Sequence, residues 1–134
     1  MTARILIVDD DPLLIELFSI LLKAHGYEVL RAGNGVEALE KIEKENPGLI
    51  LLDLMMPDMD GIEVCRRVRA QHQVPILIIS ALDHPGTIAE ALDARADDYL
   101  VKPVPGGVLL ARVARLLWRA RVAQSPEPQL IEEG

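Results

Sequence analysis

The chain has 134 residues, half of them hydrophobic, with 21 Asp and Glu against 14 Lys and Arg, a net charge of -7 and a single cysteine. That length suffices for one domain with a core of its own, and that composition excludes general disorder. The acidic balance argues against contact between this domain and nucleic acid, the lone Cys65 excludes an internal disulfide, and no apolar run approaches the roughly 20 residues of a membrane span.

Short apolar runs alternate with helical stretches five times, the pattern of a doubly wound α/β domain. Strands are expected near 4–8, 27–31, 49–53, 75–80 and 98–102. ILIV, LILL and ILII are continuously apolar, as strands covered on both faces must be, whereas YEVLR alternates and reads as an edge. The first helix follows Asp11, able to cap, and Pro12, and Gly26 is able to end it; its mostly apolar surface suggests deep burial. In the second, Asn34 caps, Ala38, Leu39 and Ile42 face inward, and Glu37 with Lys41 and Glu40 with Lys44 form pairs four residues apart. The third, about Gly61 to Gln71, buries Ile62, Cys65 and Val68 and turns Arg66, Arg67 and Arg69 to solvent. The fourth, near Thr87 to Arg95, is short, follows Pro85-Gly86 and is expected among the least stable elements, a mobile piece suited to switching.

The fifth helix is expected from about Gly107 to Val122, with a broad stripe of Val108, Leu109, Val113, Leu116 and Leu117. One domain thus spans 1–122, and SPEPQLIEEG within 123–134 reads as a linker or tail. If its terminal Glu-Gly marks a cut end, the natural chain continues into another domain. The N-terminus lacks a signal-peptide pattern, and an unpaired cysteine suits a reducing compartment, so the expected location is the cytoplasm.

Five residues distant in the chain all fall at expected strand ends: Asp9 and Asp10, Asp53, Ser80 and Lys102. In an open parallel sheet ligands bind at the carboxyl ends of the strands, so these side chains can share one site. Magnesium takes oxygen ligands, and Asp9, Asp10 and Asp53 supply them. Three clustered carboxylates repel one another unless a cation or Lys102 neutralises them. An aspartate attacking phosphorus forms an acyl phosphate, with catalysis by positioning and by charge on metal, ammonium and hydroxyl; Asp53, Lys102 and Ser80 fit these roles. Each residue also has a plainer explanation. One of Asp9 to Asp11 can simply cap the first helix, Asp53 can pair with Lys102 for structure alone, and Ser80 by itself is uninformative. Lys102-Pro103 admits a cis bond that would aim the lysine. His25, His72 and His84 share no metal-ligand spacing and read as surface or helix-end residues. Met55, Met56 and Met59 are expected to fill space beyond Asp53.

ILIVDDD, LILLDLMMPDMDG, ISA and ADDYLVKP resemble the signatures of the response regulator receiver domain, over about Arg4 to Arg121 without gaps. The resemblance implies a flavodoxin-like (βα)5 sandwich with a sheet of order 2-1-3-4-5, and phosphorylation of Asp53 by a partner histidine kinase. It implies magnesium held by Asp9, Asp10, Asp53 and the Met55 carbonyl, phosphoryl contacts from Ser80 and Lys102, and a switch in which Tyr99 turns inward and alters the face of the fourth helix, fifth strand and fifth helix. The C-terminal half is most similar to receivers that dimerise through that face and carry a winged-helix DNA-binding domain. Asp98 and Arg112 match a salt-bridge pair of such dimers, and Leu92 matches their apolar patch. Ile88 and Val108 stand where that subfamily has a base and an acid, so pairing by charge is missing there. Arg95 before ADDY, and Val104-Pro105-Gly106-Gly107 after Lys-Pro, also depart from the pattern, so altered output coupling is expected beside an intact phosphorylation site.

A phosphatase of the haloacid dehalogenase type, with Asp9 as nucleophile, is the strongest competitor. It expects Thr or Val where Pro12 and Leu13 stand, needs further aspartates after the lysine, and leaves Asp53 without a role. A nucleotide-binding module lacks its glycine-rich signature after the first strand. A receiver serving only as a scaffold would not require all five site residues.

Overall fold

Strands that are apolar on both faces can lie only between two layers of helices, and they form the middle of a five-stranded parallel sheet of order β2-β1-β3-β4-β5. The computed structural model describes residues 2–124. Its elements are β1 (Arg4–Val8), α1 (Pro12–Ala24), β2 (Glu28–Ala32), α2 (Gly35–Glu45), β3 (Leu49–Leu52), α3 (Gly61–Arg69), β4 (Ile76–Ser80), α4 (Pro85–Asp93), β5 (Asp98–Val101) and α5 (Gly106–Gln124). The doubly wound reading, the strand order and the edge position of β2 therefore hold. In β1, β3 and β4 every residue from Ile5 onward is buried, whereas β2 is partly exposed.

Alternation within the strands divides the core in two. Leu6, Val8, Ile50, Leu52, Ile76 and Ile78 pack with α2, α3 and Ala91 of α4. Ile5, Ile7, Leu49, Leu51, Leu77 and Ile79 point the other way, onto Ile15, Phe18 and Leu22 of α1 and Leu109, Val113 and Leu116 of α5. Burial of this many aliphatic side chains, about 1.5–3 kcal/mol each, drives the fold and fixes the strand ends relative to one another.

The structure departs from the sequence reading in several places. Helix α1 is not deeply buried: Leu13, Leu17 and Ile20 are 66%, 55% and 57% exposed, because a helix in an outer layer covers the sheet with one stripe only. Glu37 accepts from the Gly33 amide and Lys41 donates to the Arg31 carbonyl, so backbone groups displace the expected Glu37–Lys41 pair; no Glu40–Lys44 pair forms either among the described residues. Helix α4 starts two residues early, with Pro85 in its first turn, where a missing amide is harmless. Only Ala91 of α4 is buried, in keeping with a weakly held element. Helix α5 continues to Gln124, and residues 125–134 lie outside the described residues.

Arg69 is the largest correction. Its side chain is only 10% exposed, and its guanidinium donates to Asp97 at 2.6 Å and to the carbonyls of Val74, His72 and Arg95. Asp97 in turn accepts from the Ile76 amide, so one ion pair fastens the end of α3 to the starts of β4 and β5. Asp97 is itself exposed, so the loss of Arg69 is felt chiefly at the carbonyls of Val74, His72 and Arg95, which lose their donor. Arg69→Ala is expected to cost about 1–3 kcal/mol and lower Tm by roughly 5–10 °C, read by circular dichroism. A Tm unchanged from the parent would return Arg69 to the solvated face first expected of it.

Candidate functional site

Each parallel strand ends on the same edge of the sheet, so the residue just past it is delivered to a common place. Asp9 follows β1, Asp53 follows β3, Ser80 ends β4 and Lys102 follows β5. The backbone continues the ladder beyond the strands: the Asp53 amide donates to the Val8 carbonyl and the Lys102 amide to the Ser80 carbonyl, at 3.0 and 2.9 Å. Asp9 and Asp53 are 3% and 5% exposed, Ser80 is fully buried, and Asp10 stands in solvent at the rim. One carboxylate oxygen from each of Asp9, Asp10 and Asp53 lies within 4.8 Å of the others.

Lys102 closes the cluster. Its ammonium donates to Asp9 at 2.9 Å and to Asp53 at 3.4 Å, and the Lys102–Pro103 bond is cis. Burial, with the Asp53 charge adding to it, pushes the Asp9 carboxyl up despite hydrogen bonds from Lys102 and the Asp11 amide. Burial also opposes the Lys102 charge, but its two acid partners outweigh that and hold its pKa above the ordinary lysine value. One ammonium against three acids leaves the cluster negative, and an all-oxygen set of this kind fits a hard divalent cation such as magnesium.

The remaining residues surround this centre. The Met55 amide donates to Asp53 at 3.3 Å, and its side chain is 54% exposed, so it does not fill space; Met56 and Met59 do pack against the core. Ser80 Oγ accepts from the Leu82 amide, and the Tyr99 hydroxyl donates to the Leu82 carbonyl at 2.6 Å, so serine and tyrosine hold the same β4–α4 loop. Burial raises the Tyr99 pKa, keeping it a donor. Asp98 and Arg112 pair with each other within one chain at 2.6 Å. Leu92 and Val108 are exposed on α4 and α5, with Ile88 half-buried. His25 and His84 sit at helix ends, and His72, just past α3, contacts Glu43. Cys65 is buried against the Ala94 carbonyl, and burial raises its thiol pKa, which makes it a packing residue.

Two supports escaped sequence reasoning. Asp58 accepts from the Gly35 and Val36 amides at 2.9 and 3.0 Å; these bonds hold its carboxyl below the usual range and tie the loop after Asp53 to the start of α2. A Cβ at Gly61 would stand 2.4 Å from the Asp53 carbonyl oxygen, so only glycine lets α3 begin against the backbone that carries the acid. The amides and backbone that these two residues meet belong to other elements, so no local pattern announces them.

A groove of about 720 Å³, lined by Arg4, Tyr27 and Trp118, lies at the opposite end of the sheet; the groove bordering the cluster, with Asp10, Met55 and Asp58, measures about 610 Å³. Chemistry rather than size singles out the second.

Comparison with known proteins points the same way. The response regulator receiver domain profile matches residues 5–114. The DNA-binding response regulator MtrA of Mycolicibacterium smegmatis is 43% identical over 119 residues, 89% of this chain and 52% of the relative. The response regulator MprA of Mycobacterium ulcerans is 46% identical over 123 residues, 91% and 53% of the two chains. This chain thus spans about half the length of these curated relatives. Among solved structures, a CheY-like receiver domain protein from Methanospirillum hungatei superposes with TM-score 0.88 at 31% identity, covering 92% of this chain and 99% of that one. No helix among the described residues is long and apolar enough to cross a membrane.

Proposed function

The chain belongs to the response regulator receiver domain family of two-component signalling, and on that footing we propose that it is a phosphoacceptor, taking a phosphoryl group on Asp53 from a sensor histidine kinase. The observation that carries this reading is the ammonium of Lys102 bridging two buried aspartates at the ends of separate strands. A structural ion pair needs one acid, whereas phosphoryl transfer needs an acid to attack, a cation to receive charge and further acids for a metal.

A carboxylate oxygen of Asp53 attacks phosphorus, the bond to the donor nitrogen breaks, and its electron pair leaves with the imidazole. Lys102 then turns from Asp53 to the transferred group's oxygens, and Ser80 donates its hydroxyl to another. Asp9, Asp10, Asp53 and the Met55 carbonyl would hold magnesium, which when bound neutralises the acids and the developing charge on the phosphoryl oxygens. Loss of the group by hydrolysis resets the domain; the chain acts on itself and on no other substrate.

Recruitment of Ser80 by the phosphoryl group removes its bond to the Leu82 amide, and Tyr99, bonded to the Leu82 carbonyl, follows the loop inward. The face of α4, β5 and α5, with Leu92, Asp98 and Arg112, is then biased toward a second state, in which two copies pair. Ile88 and Val108 make that contact apolar rather than ionic. The receiver unit spans 1–122 in the cytoplasm, contacts no nucleic acid itself, and controls transcription through a C-terminal DNA-binding domain of the kind named in its relatives.

Locating the phosphoryl group tests the reading. After acetyl phosphate and magnesium, borohydride reduction and peptide mapping are expected to mark Asp53. Marking of Asp9 would favour the phosphatase mechanism instead.

A further inference from the structure

A fourth carboxylate, outside the acid cluster, holds the loop that borders it. Every helix begins with amides that have no partner inside the helix. At the start of α2, Asn34 satisfies one of them, accepting from the Glu37 amide at 2.8 Å. The Gly35 and Val36 amides donate instead to Asp58, one to each carboxylate oxygen, across 23 and 22 residues of chain. The positive end of the helix dipole favours a carboxylate there. Asp58 is exposed, so this clasp adds little to the core and acts mainly on the loop.

That loop runs from Asp53 to α3 and carries Met55. Its ends are fixed: the Met55 amide donates to Asp53 at 3.3 Å, and the Gly61 amide donates to the Leu54 carbonyl at 3.0 Å. Between them, from Met56 to Met59, the two bonds to Asp58 are the only hydrogen bonds to another element among the described residues. Helix and loop approach closely at this point, since a Cβ at Gly35 would stand 2.8 Å from that of Met59. The same turn reaches the cluster from its other side, because the Asp9 amide donates to the Ala32 carbonyl at 3.1 Å. The segment from Ala32 to Val36 thus bridges Asp9 and the loop that carries Met55.

We infer that Asp58 is a positioning residue for the cation site: by clasping the start of α2 it holds the Met55 backbone in place beside Asp9 and Asp53, on the reading above that the Met55 carbonyl is a magnesium ligand. Without the clasp the loop is held at its ends and by the packing of Met56 and Met59 alone. The carbonyl must then be ordered as the cation binds, which lowers affinity without touching the attacking oxygen.

Two variants break the clasp from opposite sides. Asp58→Ala removes the acceptor. Val36→Pro removes one donor and leaves the Asp58 charge in place; Val36 is 51% exposed, proline is tolerated in the first turn of a helix, and Gly35 before it has no Cβ to clash. Magnesium binding to the full chain is measured by calorimetry with no phosphodonor present. Both variants are expected to bind magnesium roughly tenfold more weakly than the parent and to exchange the Met55 amide faster in EDTA. Their rates of phosphorylation by acetyl phosphate at saturating magnesium are expected to equal the parent's. Unchanged affinity in both variants, whatever their Tm, would overturn the proposal, because a clasp that serves α2 alone moves stability and not cation binding. So would weakening confined to Asp58→Ala and lost in about 1 M salt, where the Debye length is about 3 Å, which would assign the effect to charge. A parent that binds magnesium but gains no phosphoryl group would count against Asp53 as acceptor, with the affinities still deciding on Asp58; a parent that binds no magnesium would overturn both.

Discussion

Asp53→Asn is expected to gain no mass in acetyl phosphate and magnesium under conditions that add one phosphoryl group to the parent. The amide preserves the size and most contacts of the side chain but has no anionic oxygen with which to attack phosphorus. The loss is all or none because no second acid substitutes: Asp9 is buried behind Lys102 and the Asp11 amide, and Asp10 stands in solvent at the rim. A folding defect would give the same silence, so stability must be measured too. Asp53 is one of three mutually repelling acids, and its charge contributes to raising the pKa of Asp9. Neutralising it removes repulsion while Lys102 keeps Asp9 as a partner, so without magnesium the variant is expected to melt no lower than the parent. A variant that still gains the full phosphoryl mass would show that another residue is the acceptor.

Lys102→Ala is expected to separate two effects that the parent combines. The ammonium sits where charge would develop on the transferred group, and loss of one such electrostatic contact costs about 10²–10³-fold in rate, so phosphorylation by acetyl phosphate should slow by that order. Magnesium binding should move the other way. In the parent the ammonium, 2.9 Å from Asp9 and 3.4 Å from Asp53, already satisfies part of the negative field and repels an incoming cation. Its removal leaves two buried carboxylates uncompensated, so the variant is expected to melt lower without metal and to gain more from magnesium than the parent does. Equal rates of phosphorylation in the two proteins would remove Lys102 from the chemistry. Weaker magnesium binding in the variant would show that the lysine organises the acids rather than competing for them.

The sheet and its site were legible in the sequence because both follow from local pattern. Continuous apolar runs mark covered strands, and an acid, hydroxyl or lysine directly after such a run can only be delivered to the edge where the strands end. What the sequence hid depends on partners far along the chain. Arg69 looked like its neighbours Arg66 and Arg67, and nothing local reveals that Asp97 and three carbonyls converge on it. Gly61 read as the first residue of a helix, and its contact with the backbone of Asp53 appears only once β3 and α3 are packed. The apolar surface of α1 misled for the opposite reason, because composition records how many apolar residues a helix has and not how many the sheet covers. Asp98 and Arg112, matched to a pair that acts between chains, also meet within one chain, a contact that only the folded arrangement reveals.

The measurement that bears most directly on Asp53 as a magnesium-dependent phosphoacceptor is intact mass of the unaltered chain after acetyl phosphate, with magnesium and with EDTA. A gain of one phosphoryl group with magnesium, absent with EDTA, is the predicted result. A folded chain that binds magnesium and gains nothing, or one that gains the group equally in EDTA, would contradict it.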